Sequence, residues 1–199
     1  MMKTLKRIGL GILVVGTAVL LAACRSDYEF IGTVPAEIQP APDFTLTGVD
    51  GPVSLSDFGG KYVFVYFGYT FCPDICPDTL SKLARVRRQL SAEEADQVQV
   101  IMISVDPDRD TPELLAEYVA HFDDSFVGLT GTKEEIDEAG IPYYLFYEKH
   151  DGTVASGYLI DHSSRAFLID KNGNARLSYS FDTTSDGILS DVEWLLDHE

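Results

Sequence analysis

"KYVFVYFGYTFCPDICPDTL", residues 61–80, decides the fold. Its first ten residues are β-branched and aromatic without alternation, the pattern of a strand buried on both faces. Two cysteines follow, Cys72 and Cys76, each with a proline behind it. Pro77 lacks a helical N–H and biases Cys76 away from helical angles, so the next helix is expected to start at Pro77. Cys76 then sits at or near the cap, and Cys72 on the loop between strand and helix. Leu80, Leu83, Ala84 and Leu90 carry the helical period onward. A thiol at the positive end of a helix dipole has a lowered pKa, and thiolate is the form that attacks disulfides and binds metals.

Working outward, "DFTLTGVDGPVSL" (43–55) carries Asp50-Gly51 between two strand-like runs and predicts a hairpin. "VQVIMISVD" (98–106) is a second buried strand. In "DTPELLAEYVAHF" (110–122), Thr111 is an N-cap, Pro112 opens the helix, and Leu114, Leu115, Tyr118, Val119 and Phe122 form one stripe. "FVGLTG" (126–131) is a short strand and "TKEEIDEAG" (132–140) a short helix closed by Gly140. "PYYLFYE" (142–148), "AFLID" (166–170) and "ARLSYSF" (175–181) are expected strands, and a last helix runs from about Ser185. A strand–helix–strand half followed by an antiparallel pair and a terminal helix gives an α/β, thioredoxin-like fold with an added N-terminal β-hairpin.

The chain has 199 residues, and its first part is not part of that fold. Lys3, Lys6 and Arg7 precede the uncharged run "IGLGILVVGTAVLLAA" (8–23), which is short for a spanning helix and reads as a secretory signal. "LAAC" (21–24) resembles the lipobox of bacterial lipoproteins, which implies cleavage after residue 23 and lipidation of Cys24. Residues 24–42, with Pro35, Pro40 and Pro42, are expected to tether a domain at 43–199 to a membrane. Losing residues 1–23 takes the formal net charge from −17 to −20, which argues against nucleic acid as a partner.

With Cys24 assigned to lipid, Cys72 and Cys76 stand alone outside the cytoplasm. A disulfide across so short a loop would stabilise little by restricting the unfolded chain. The spacing leaves both a disulfide and a shared metal open, since a metal tolerates a wider sulfur separation. A metal held by two thiolates wants a third ligand. Of the four histidines, His121 ends a helix, His150 lies in a charged loop and His198 is next to the chain end. His162, in "LIDHSSRAFLID", enters a core strand, beside the cysteines in a thioredoxin-like fold. Thioredoxins usually place a cis-proline there, and this chain has no proline after Pro142. Two soft thiolates and an imidazole suit Cu(I), and could also take Cu(II) or zinc. A carboxylate commonly orients such a histidine, and Asp161 is its neighbour in sequence.

"FGYTFCPDICPDTL", "SVDPDRDTPELLAEYV" and "DHSSRAFLID", in that order, resemble the SCO/SenC family of copper proteins over about residues 42–196. The resemblance implies one copper held by Cys72, Cys76 and His162. It also implies a role in assembling the copper A centre of cytochrome c oxidase, by copper delivery, by reducing the acceptor's cysteines, or both. The expected partners are the copper-bearing oxidase subunit, a copper donor chaperone and the membrane. Asp106 matches a family acidic residue near the site, in a supporting role, and also reads as a turn carboxylate ahead of Thr111. Many relatives keep an N-terminal spanning helix where this chain carries the lipobox-like "LAAC". The alternative is a thiol–disulfide reductase using Cys72 and Cys76 without metal. A peroxiredoxin-type peroxidase fits poorly, because Val65 and Tyr69 stand where its proline and threonine belong. A redox or copper sensor would share the same residues.

Overall fold

The computed structural model describes residues 28–152 and 157–199. The proposed signal, Cys24 and the first residues of the expected tether lie outside them.

Strands β3 (Tyr62–Gly68) and β4 (Val98–Ser104) pair in parallel from Tyr62↔Val98 to Gly68↔Ser104, and every residue of both is buried. Their unbroken apolar character follows from being covered on both faces. A parallel pair needs a long crossover, supplied by α1 (Ile75–Gln89) and the short α2 (Ala92–Asp96). β5 (Val127–Leu129) extends the sheet in parallel beyond β4. On the other side β8 (Ala166–Ile169) runs antiparallel to β3, and β9 (Ala175–Tyr179) antiparallel to β8. The order β5-β4-β3-β8-β9 is the thioredoxin-like arrangement, and the expected hairpin is present as β1 (Thr45–Gly48) and β2 (Gly51–Ser54). Gly51, with φ 121°, takes the turn conformation that only glycine adopts freely.

Helix α3 (Pro112–Ala120) starts as its sequence predicts, with the Thr111 hydroxyl accepting the Leu114 N–H. Helix α4 (Lys133–Gly140) has a reciprocal cap between Thr132 and Glu135. Helix α5 (Ser185–His198) turns Ile188, Val192 and Leu195 inward, where they join Leu80, Leu83 and Val86 of α1 in one core. Each such side chain contributes about 1.5–3 kcal/mol of apolar burial.

Three expectations need correction. Helix α1 begins at Ile75, two residues before Pro77. The first four N–H groups of a helix have no partner within it, so proline at the third position loses no bond. The first turn closes through Asp78 N–H to the Asp74 carbonyl, 3.3 Å.

The segment 142–148 is not one strand. Pro142 lies in a 3-10 turn (Ile141–Tyr143), and Tyr144 adopts a left-handed conformation with φ 52°. Leu145 N–H then closes back on the Gly140 carbonyl at 3.1 Å. The strand, β6 (Tyr147–Asp151), begins only afterwards, and it pairs with β7 (Tyr158–His162) in a two-stranded sheet separate from the main one. β7 is not expected from the sequence, and β6 is mostly charged and exposed.

The described part of the expected tether does not hang free. Thr33 and Ser178 exchange backbone hydrogen bonds of 2.8 and 3.0 Å, and Ala175 N–H reaches the Gln39 carbonyl at 2.9 Å. Residues 33–41 thus run along β9 and cover the edge of the sheet.

Candidate metal centre

β3 delivers the chain to the site and stops at Gly68, beside the Cys76 thiol. A Cβ built on Gly68 would lie 2.9 Å from Cys76 Sγ and 2.9 Å from the Tyr66 ring. The glycine is therefore the vacancy into which the thiol fits. Thr70 is pinned next: its N–H and hydroxyl donate to the Asp110 carboxyl at 3.0 and 2.5 Å. The Ser104 hydroxyl, at the end of β4, donates to the same carboxyl at 2.6 Å. The Cys72 N–H closes a turn on the Tyr69 carbonyl at 3.3 Å.

Cys76 is wholly buried in the first turn of α1, and Cys72 is half-buried on the loop before it. Both thiols are free, and the Cys76 backbone N–H points at Cys72 Sγ, 3.4 Å away. This asymmetry divides the two thiols chemically. The Cys76 thiol donating to Cys72 pulls the Cys72 pKa down to about 4. Burial opposes that shift, while His162 and the backbone N–H groups of Asp74 and Cys76 add to it. Cys76 is pushed strongly upward, first by the same hydrogen bond and then by burial.

His162 arrives at the end of β7. Its Nε2 lies 3.3 Å from Cys76 Sγ, and its Nδ1 faces the Ser163 carbonyl at 3.0 Å. With Nδ1 held against that carbonyl, Nε2 is the ring nitrogen that faces the sulfurs. The rings of Tyr69 and Tyr66 meet the imidazole edge-on, at 5.8 and 6.2 Å between centroids. The two sulfurs and the imidazole nitrogen all lie within 4.8 Å of one another. Two metal–ligand bonds of about 2.0–2.3 Å span the 3.3 Å between Cys76 and His162 comfortably.

The two carboxylates read as supporting residues stand outside this group. Asp106 is fully buried and accepts from Arg109 Nε and, at 2.6 Å, from the Tyr158 hydroxyl. Its backbone carbonyl takes the N–H groups of Arg109 and Asp110, so it is also the turn residue ahead of α3. Asp161 is 77% exposed and pairs with His150 at 3.2 Å. Neighbours on a strand point to opposite faces, so Asp161 turns away from the sulfurs, and the carbonyl of Ser163 orients His162 instead. Gly68, Tyr66 and Asp110 were not read from the sequence as site residues. Of these only Gly68 carried a signal, as a glycine inside a strand pattern, which marks close approach.

The sequence model of the SCO1/SenC family matches residues 34–197. The mitochondrial SCO2 homolog of Bos taurus is 40% identical over 152 residues, covering 75% of this chain and 57% of its own length. The chain thus spans little more than half the length of that relative. Among solved structures, Arabidopsis thaliana ScoI with copper bound has a TM-score of 0.74 and 34% identity, over 81% of this chain and 100% of that one. BsSco, a member of the Sco family of cytochrome c oxidase assembly proteins with a disulfide switch, has a TM-score of 0.63 and 26% identity. That likeness covers 84% of this chain and 99% of BsSco.

Proposed function

The chain belongs to the SCO1/SenC family, and from that premise we propose that it is a copper chaperone. In this proposal Cys72, Cys76 and His162 hold one copper ion as cargo. The chaperone is anchored outside the cytoplasm through lipid on Cys24 and assists assembly of the copper A centre of cytochrome c oxidase. The observation that carries the reading is the convergence of the two sulfurs and one imidazole nitrogen within 4.8 Å. Soft thiolates favour Cu(I), and the imidazole accommodates either copper state. A three-ligand site suits a carrier, since a ligand of the acceptor can enter before the protein's own ligands leave. The acceptor is then the copper-bearing oxidase subunit, and a donor chaperone supplies the metal.

Anaerobic Cu(I) titration of the full chain against a competing chelator tests the site. One equivalent should bind. Loss of an outer-shell partner typically costs about 10–100-fold in metal affinity, so Cys72→Ser, Cys76→Ser and His162→Ala should each cost at least that. Unchanged affinity in the Cys72→Ser/His162→Ala double variant would sink the assignment.

A second reading, reduction of a disulfide in the acceptor, is favoured by the Cys72 thiolate. Cys72 would attack one sulfur of that disulfide to give a mixed disulfide. Cys76 would then displace the acceptor thiolate, leaving Cys72–Cys76 oxidised and the acceptor reduced by two electrons. Resolution needs the thiolate of Cys76, as copper binding does, and burial disfavours it in both. Copper carriage is the leading role because His162 joins the two sulfurs in a three-ligand group that thiol reduction does not need.

A further inference from the structure

Among the described residues, His162 reaches the cysteines on a hairpin that shares no ladder hydrogen bonds with the central sheet, because there β6 and β7 pair only with each other. Something other than sheet pairing must fix the imidazole against two sulfurs that are fixed by β3 and α1. Arg109 touches all the parts concerned. Its guanidinium lies 3.6 Å from the centroid of Tyr158, the first residue of β7, and 4.6 Å from that of Phe71, the residue before Cys72. Its Nη1 donates to the Tyr158 carbonyl at 3.1 Å, and its Nε donates to the buried carboxylate of Asp106. The Tyr158 hydroxyl donates to the same carboxylate, closing a ring of three groups. Two residues further along the strand, the Ile160 N–H donates to the Tyr69 hydroxyl at 3.2 Å, and the Tyr69 ring abuts His162.

We propose that Arg109 is the positioning residue for His162: clamped by Asp106, it locks the start of β7 to the cysteine loop and so sets the distance from imidazole to sulfur. The inference rests on Cys72, Cys76 and His162 acting as one metal site. A planar, fork-shaped cation is needed, since it donates in two directions while stacking on two rings, which a lysine ammonium cannot do. Asp106 acts here through Arg109, without touching the metal.

The test is a cycle on the full chain, with Cu(I) alone as the probe. Arg109→Gln should weaken Cu(I) binding by about 10–100-fold, the usual cost of losing a group that orients a metal ligand. On a His162→Ala background the same substitution should cost less than about threefold, within the scatter expected of independent sites. In the metal-free protein, the ring 15N signals of His162 should move or broaden in Arg109→Gln while the chain stays folded. If Arg109→Gln fails to fold, Arg109→Lys takes its place, keeping a cation over Tyr158 without the fork, and the same cycle is read. Equal losses on both backgrounds, or unchanged affinity with unchanged His162 ring signals, overturn the proposal. If His162→Ala itself leaves Cu(I) affinity intact, the metal-site reading falls instead, and the two failures are distinguished.

Discussion

Cys72 and Cys76 are chemically unequal although they share one motif. The sequence placed both near a helix start, where thiolates form, but could not say which of them burial would silence. In the structure Cys76 fills the vacancy beside Gly68 and becomes the donor, while Cys72 becomes the acceptor. The folded pKa of Cys72, about 4, lies below its ordinary value of 9.0, so binding of the thiolate stabilises the fold. That stabilisation is complete above the ordinary thiol pKa and is lost as pH falls through about 4. Iodoacetamide should therefore alkylate Cys72 alone in the reduced, metal-free protein, at a rate nearly flat between about pH 6 and 8, where an ordinary thiol would gain roughly 30-fold or more. Peptide mapping of the labelled chain reads this out. Cys76→Ala should shift the pH dependence toward that of an ordinary thiol, the remaining donors keeping part of the effect, and labelling of Cys76 first in the wild type would refute the assignment. His162 was legible only through its place relative to a core strand. The Ser163 carbonyl that orients it was not legible, because a backbone acceptor leaves no mark in sequence.

The elements that show in the sequence are those whose residues face one consistent environment. β3 and β4 are buried on both sides and read as unbroken apolar runs, and α3 and α4 announce themselves by their caps. β6 and β7 form a hairpin outside the main sheet, with a charged β6, so neither period nor hydrophobicity marks them. The aromatic run 142–148 misleads because Pro142 turns the chain before a strand can begin. What joins these elements into a site is polar and equally hidden: Asp110, at the entry to α3, holds the loop after β3 and the end of β4 through three hydrogen bonds. Asp110→Ala leaves those donors without an acceptor in an interior position. Hydrogen bonds lost in this way cost about 1–3 kcal/mol per stranded group, and partial relaxation should bring the total to about 2–4 kcal/mol. Urea unfolding of the metal-free chain, with an unchanged slope and a lower midpoint, is the expected result. A change below about 0.5 kcal/mol, the usual range for inconsequential surface positions, would mean that the loop is held by other contacts.

At the scale of the whole molecule, the sequence divided the chain into anchor, tether and domain, and the structure moves the seam between the last two. Proline content and lack of period made residues 24–42 read as spacer. Period is the wrong signal for a segment that lies singly along a sheet edge, because its backbone, not its side chains, makes the contacts. The seam is fixed from the other side by Asp191, a fully buried carboxyl on α5. It accepts from the Tyr28 hydroxyl at 2.8 Å and from the backbone of Ile31 and Gly32 at 3.0 and 2.8 Å. The Tyr28 ring stacks on Trp194 at 5.1 Å, with Phe30 edge-on to both. A buried acceptor with three donors from one segment commits that segment to the domain, and with it closes the outer edge of β9. Asp191→Ala should remove both effects. Hydrogen bonds to a charged group are worth about 1.5–3 kcal/mol each and are not additive, so a loss of about 2–4 kcal/mol in unfolding free energy is expected. Chymotrypsin should then cut after Tyr28 or Phe30 under conditions where the wild type resists. The Cu(I) stoichiometry should stay at one, because Asp191 lies outside the sulfur–imidazole group. Protease resistance equal to that of the wild type would show that the segment is held by β9 pairing and aromatic stacking without the carboxyl.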